Sequence, residues 1–194
     1  MSEPAVKRMT LDEFLRWDDG TETRYELVAG FPLAMAPPAR AHRILAARLA
    51  AAIEARLRSR RPCTAEIEAG IARPDRDDSF YIADLAVSCR PYRQGEQLVP
   101  DPILIIEILS PGTERHDRLI KVPAYRDIAT VEEILLIDSE SSLAEVLRRE
   151  GPQWVTELVR GRDEVLRLAS VDLAVPMAEL YDGIGVDGAE RSNA

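Results

Sequence analysis

The chain has 194 residues, 46% hydrophobic and 30% charged, with 25 basic against 34 acidic side chains and a formal net charge of −9. That is the size of one domain of ~100–200 residues, long enough to bury a real core, and the balance excludes a low-complexity or membrane-dominated chain. The acidic surplus argues against an indiscriminate nucleic-acid coat, which favours basic surfaces, but leaves room for a local basic face.

The N-terminus, Met1 to Pro4, carries no basic segment followed by an apolar one, and no apolar run approaches the ~20 residues a membrane helix needs. Cys63 and Cys89 have no Cys or His neighbour at zinc-ligand spacing. Both read as buried or half-buried thiols in a reducing compartment, and the protein as cytoplasmic.

In chain order, Thr10-Leu-Asp-Glu13 is a capping box and predicts a helix toward Trp17. Asp18-Asp19-Gly20 breaks it. Arg24 to Ala29 and Phe31 to Ala36 predict a hairpin around Gly30, stopped by Pro37-Pro38. Ala39 to about Ser59 is the strongest helix. It is rich in Ala, Leu and Arg, with Ala41, Leu45, Leu49, Ile53 and Leu57 recurring every fourth residue as one apolar stripe. Strands follow at Cys63 to Ala72, Phe80 to Cys89 and Pro102 to Leu109, the last apolar almost throughout, as a strand covered on both faces should be. A helix is expected from about Thr113 to Arg126, then strands at Glu133 to Asp138, Ala144 to Arg149, Trp154 to Val159 and Val165 to Leu168. This order suits an α/β fold of the α+β kind, a mixed sheet with helices packed on it, as a single domain over 1–182 with a polar tail over 183–194.

Two acids sit where acids are costly. Glu107 lies inside the apolar run Ile103 to Leu109, and Asp84 inside Tyr81 to Val87. A buried, unpaired carboxylate costs several kcal/mol, so each needs a partner. One such acid points to an arginine or a backbone N–H. Two in neighbouring strands point to a divalent cation, which prefers hard oxygen ligands and can keep water positions open for phosphoryl chemistry. Lys121 follows on the next helix, with Asp117 one turn before it. By sequence alone these two form an exposed i,i+4 ion pair; the functional alternative turns Lys121 inward to the acids, where Pro123 makes its direction ambiguous. His42 projects to the sheet side of the long helix, where a satisfied core histidine is the simpler reading. Arg40, Arg43, Arg48, Arg56, Arg58, Arg60 and Arg61 face only Glu54 in that segment. They read first as a solvated helix face and second as a phosphate-tracking surface.

These segments resemble, over residues 10 to 182, the Uma-type restriction endonuclease family, a branch of the PD-(D/E)xK nuclease superfamily. The residues that carry the likeness are Arg24-Tyr-Glu-Leu-Val-Ala-Gly30, Ala36-Pro-Pro with His42 following, and Tyr81-Ile-Ala-Asp-Leu-Ala-Val87. Next come Ile105-Ile-Glu-Ile-Leu-Ser-Pro-Gly-Thr113, then Asp117, Lys121 and Tyr125 running into Val131 to Asp138. The resemblance implies a restriction-endonuclease-like core and a metal-dependent endonuclease hydrolysing phosphodiester bonds in DNA, with Mg²⁺ as cofactor and Mn²⁺ as substitute. Asp84 and Glu107 would be the metal-binding acids, Glu26 an additional acid at the metal, and Lys121 the catalytic lysine, moved from the strand to the following helix. His42 matches a recurrent position, here an accessory residue. Two departures stand out: Ala83 replaces the proline that usually precedes the aspartate, and Leu109 stands where the superfamily has its lysine. The likeness, with an apolar edge around Trp154, also implies a homodimer. The competing expectation is a nuclease fold without catalysis that binds nucleic acid or a protein partner.

Overall fold

The computed structural model describes residues 8–186. Its elements are α1 (Leu11–Leu15), β1 (Tyr25–Val28), β2 (Phe31–Ala34), α2 (Arg40–Leu57), β3 (Thr64–Ile71), β4 (Tyr81–Ser88) and β5 (Pro102–Leu109). Then come α3 (Glu114–His116), a π-helical turn (Asp117–Lys121), α4 (Val122–Arg126), β6 (Glu133–Asp138), β7 (Leu143–Glu150), β8 (Gln153–Arg160), β9 (Val165–Leu168), a 3₁₀ turn (Ala169–Val171), β10 (Leu173–Pro176) and α5 (Met177–Leu180).

Local chemistry explains the early elements. Thr10 closes the capping box: its hydroxyl accepts the Glu13 N–H at 3.2 Å, and the Glu13 carboxylate accepts the Thr10 N–H at 2.9 Å. Ala29 and Gly30, at φ 50° and 85°, form the tight turn between β1 and β2, the positive-φ pair that lets a two-residue hairpin follow strand twist.

Strands β3 to β8 form one six-stranded sheet in chain order. Every neighbouring pair is antiparallel except β5 and β6, which run parallel and are joined by the α3–α4 crossover. The fold is thus the mixed α/β arrangement the element order implies. Leu45, Leu49, Ile53 and Leu57 of α2 pack with Leu104, Ile106 and Ile108 of β5 and Leu135 and Ile137 of β6 on one face. On the other, Val122, Ala124 and Tyr125 of α4 cover Ile105, Leu109, Ile134 and Leu136. The hairpin is tied to the sheet where Leu27 and Phe80 exchange backbone hydrogen bonds at 2.8 and 2.9 Å. Covering both faces is what makes β5 read as a continuous apolar run.

Three expectations change. Cys63 and Cys89 are not free thiols but a disulfide. Thr64 pairs with Ser88 across β3 and β4, so the residues just outside that pair are brought together by strand register, which no sequence spacing reveals. The arginines of α2 and just beyond it are exposed except for the half-buried Arg48, as a solvated face requires, but three of them are also bonded to the end of the chain. Arg48 donates to the Leu180 carbonyl at 2.7 Å, Arg60 to that of Ser170 at 2.9 Å, and Arg56 to that of Asp172 at 2.8 Å. They fasten the last elements, β9 to α5, onto α2. Finally, Ile184 is buried in the α2-side core, so packing continues past residue 182; positions 187–194 of the expected tail lie outside the described residues.

Candidate active site

Asp84 and Glu107 sit on neighbouring strands. The β4–β5 register pairs Leu85 with Ile106, and Asp84 and Glu107 flank that pair. The β3–β4 ladder skips Asp84: it pairs Ile67 with Leu85 and Ala69 with Ala83, while Glu68 between them is held at φ 52°. Ala83 packs on the α4 side of the sheet and Leu85 on the α2 side, so β4 changes face at Asp84. The carboxylate of Asp84 therefore meets both sides: it accepts from the Ile108 N–H at 2.7 Å and pairs with His42 Nε2 of α2 at 2.8 Å.

Lys121 reaches the same place from the crossover. Its ammonium lies 2.9 Å from Glu26 Oε1, 3.3 Å from Glu107 Oε1, 3.3 Å from Asp117 Oδ1 and 3.0 Å from the Ile82 carbonyl. The π-helical turn accounts for the inward aim. Pro123 has no N–H and its ring would crowd the carbonyl four residues back. The chain widens instead, with the Val122 N–H bonded to the Asp117 carbonyl five residues back. Asp117 and Lys121 thereby both face the interior, while Leu119 and Ile120 face out. The Asp117–Lys121 pair expected on the surface exists but is buried.

The carboxylate oxygens of Glu26 and Glu107 have further donors. Glu26 Oε1 also accepts the Ile82 N–H at 2.9 Å, and its Oε2 meets His116 Nε2 at 2.8 Å. The Tyr125 hydroxyl donates to Glu107 Oε1 at 2.6 Å. Burial pushes Glu107 well above the carboxylate range; Lys121 opposes that, and the charges of Asp84 and Asp117 add to it. Burial likewise raises Asp117 against the pull of Lys121. Burial would raise Glu26 too, but the His116 hydrogen bond and the Lys121 charge outweigh it and hold this carboxyl low. Burial works against the Lys121 ammonium, yet Glu107, Glu26 and Asp117 together raise its pKa.

The cluster is closed on the Lys121 side and open on the other. The side chains of Lys121 and Glu107 are 5% and 2% exposed, against 23% for Asp84 and 24% for His116. Solvent, and any substrate, meets the site past Asp84 and the two histidines. A separate cleft of about 930 Å³ lies between α1 and the 95–102 loop and shares no residue with the cluster. Its Arg73 and Arg76 are paired with Asp75, Asp127 and Asp78.

Four of the five candidate residues from sequence, Glu26, Asp84, Glu107 and Lys121, thus meet at one place, with His42 beside them. Sequence reasoning passed over His116 and the burial of Asp117, and gave Tyr125 no role. His116 carried one weak signal: it precedes Asp117 in the segment that also supplies Lys121.

The sequence profile of the Uma2 family, described as "Putative restriction endonuclease", matches residues 11–178. The chain belongs to the Uma2 family. An uncharacterized Synechocystis protein is 24% identical over 188 residues, spanning 91% of this chain and 93% of its own length. The crystal structure of a "putative nuclease belonging to DUF820" from Anabaena variabilis superposes with a TM-score of 0.74 at 22% identity. The match covers 89% of this chain and 97% of that one, and the two Uma2-like folds agree over nearly their whole length. Among the described residues, no helix is long and apolar enough to cross a membrane.

Proposed function

We propose that this Uma2 chain is a Mg²⁺-dependent endonuclease acting on DNA, with Mn²⁺ as a substitute. The observation that carries the reading is the convergence of Glu26, Glu107 and Lys121 beside Asp84, at an opening in an otherwise buried acidic cluster. The donors fit a hard cation in kind: carboxylate oxygens, mostly desolvated and in surplus over their one ammonium. They are not arranged around an ion in this conformation. Among the described residues no group of three or more His, Cys, Asp or Glu side chains is set to hold a metal, and Lys121 lies between Glu26 and Glu107.

Asp84, Glu107 and Glu26 would hold the cation, and the Ile108 carbonyl is a further candidate ligand. When bound, the ion supplies charge stabilisation for the scissile phosphate and lowers the pKa of an attacking water. His42 holds Asp84 at the open side, and His116 reaches from there to hold the buried Glu26. Lys121 would orient the water or neutralise the developing phosphate charge. Arg40, exposed two residues from His42, stands where a backbone phosphate would approach.

The test is cleavage by metal-free protein of supercoiled plasmid, linear duplex and RNA, with Mg²⁺ or Mn²⁺ added back. Asp84→Ala and Glu107→Ala are each expected to abolish metal-dependent cleavage while keeping the wild-type circular dichroism spectrum. Wild-type protein that binds DNA but leaves it intact with either metal would favour the non-catalytic reading, which the sealed position of Lys121 supports. Loss of activity that merely tracked loss of folded protein would make the acids structural.

A further inference from the structure

Lys121 occupies the middle of the carboxylates that would take the metal. Its ammonium contacts Glu26, Glu107, Asp117 and the Ile82 carbonyl at 2.9 to 3.3 Å. Glu26 and Glu107 are two of the three acids that would hold the ion, and two cations cannot share their oxygens at such distances without strong mutual repulsion. We propose that a divalent cation and the Lys121 ammonium are alternative occupants of one carboxylate cage, so that loading the metal requires Lys121 to leave it. This rests on the metal-site reading above and adds its control: the lysine is the counter-ion that the metal must displace.

Three observations support the exchange. First, three buried carboxylates face one ammonium, which leaves a negative surplus that a single positive charge does not cancel. Second, the ammonium is a compact point charge on a flexible stem, which a smaller and more highly charged ion can displace. A guanidinium would lock onto the carboxylates in a planar fork. The chain has 23 arginines and only two lysines, Lys7 and Lys121, so the cage holds the rarer kind of cation. Third, the way out lies toward Asp84 and the histidines, the exposed side of the cluster. Release from the cage would carry the ammonium to where a phosphate would lie, so one movement both admits the metal and arms the lysine.

The experiment uses the full chain and Mn²⁺ as probe. Isothermal titration should give at least tenfold tighter Mn²⁺ binding for Lys121→Met, which keeps the length and loses the charge, than for wild type. Equal or weaker binding by the variant overturns the proposal. Without metal the variant should melt below wild type, and saturating Mn²⁺ should raise its Tm by more than it raises that of wild type. If Lys121→Met is unfolded without metal, Mn²⁺ should restore its folded spectrum, and failure to do so counts against the exchange.

An independent readout uses wild type alone. Acetylation by an amine-reactive ester, mapped by mass spectrometry, should spare Lys121 in metal-free protein and modify it at saturating Mn²⁺, with Lys7 as internal reference. Lys121 that stays protected at saturation overturns the exchange while leaving the metal site standing. No Mn²⁺ binding by either protein removes both.

Discussion

Glu107 shows what a single side chain contributes at this site. Its carboxyl is buried, and burial holds its pKa well above the ordinary value despite Lys121. The folded state therefore favours the protonated form. The cost of the ionised group is full at pH above the raised pKa, shrinks as pH falls from there, and is gone once pH is below the ordinary carboxylate pKa, where both states are protonated. Glu107→Gln keeps the shape and an acceptor for the Tyr125 hydroxyl without the charge, and Lys121 retains Glu26 and Asp117. The metal-free variant is expected to be more stable than wild type at pH 8, by on the order of 1 kcal/mol or more. For a chain of this size that is a rise of ~2–4 °C in Tm per kcal/mol. The gap should close in thermal scans as pH is lowered. A variant less stable than wild type at pH 8 would show that Lys121 needs the Glu107 charge more than burial penalises it.

At the scale of elements, α2 organises both the core and the site. Its apolar stripe presses on the sheet, its first turn delivers His42 to Asp84, and Arg48, with Arg56 and Arg60, reaches the carbonyls of the last elements. Arg48 and Arg60 make charged donor bonds to partly shielded carbonyls, worth ~1.5–3 kcal/mol each in favourable settings. Arg48→Met and Arg60→Met should therefore loosen β9, β10 and α5 first. Hydrogen exchange would read this as faster exchange at Val175 and Tyr181, with Leu104 to Ile108 of β5 unchanged. Uniform acceleration across the sheet would instead mean that α2 and the C-terminal elements unfold as one unit. The π-helical turn was the element least accessible to reasoning from sequence. Pro123 announced a disturbance, but whether it would kink the helix or widen it depends on what the inward residues find, and here they find three acids.

At the scale of the molecule, two constraints act on the ends of the sheet. The Cys63–Cys89 bond closes a 26-residue separation between β3 and β4. In the chain-entropy account, that adds roughly 3–4 kcal/mol to stability by restricting the unfolded chain. Reduction, or Cys63→Ser, should lower the Tm by several degrees and leave cleavage intact, since Asp84 lies mid-strand on β4, five residues from Cys89, and Glu26 and Glu107 lie on other strands. Lost activity in a still-folded reduced protein would link this bond to the site. The second constraint is the edge at β8. This eight-residue strand has no proline and exposes Val155 and Leu158, an unprotected edge of the kind that pairs with another strand. The homodimer that the family resemblance implies is expected to form through this edge. Sedimentation equilibrium should find dimers of wild type at micromolar concentration and monomers of Leu158→Glu; monomeric wild type removes the proposal.

The sequence by itself determined the layout of this protein. Burial leaves periodic marks, so the fourfold apolar repeat of α2 and the unbroken apolar run of β5 announced a helix on a covered sheet. Asp84 and Glu107 stood out because acids are rarely spent inside such runs, and Glu26 and Lys121 followed from motif resemblance. What only the tertiary structure decided were relations across the chain. β10 was missed because its four residues follow a left-handed Asp172 and end on Pro176, too short to leave a pattern. The disulfide came from strand register. The partners of the α2 arginines came from elements more than a hundred residues away. The inward turn of Lys121 came from a backbone widening whose energy depends on the carboxylates it meets. Periodicity records whether a residue is buried; it does not record which other residue is waiting there.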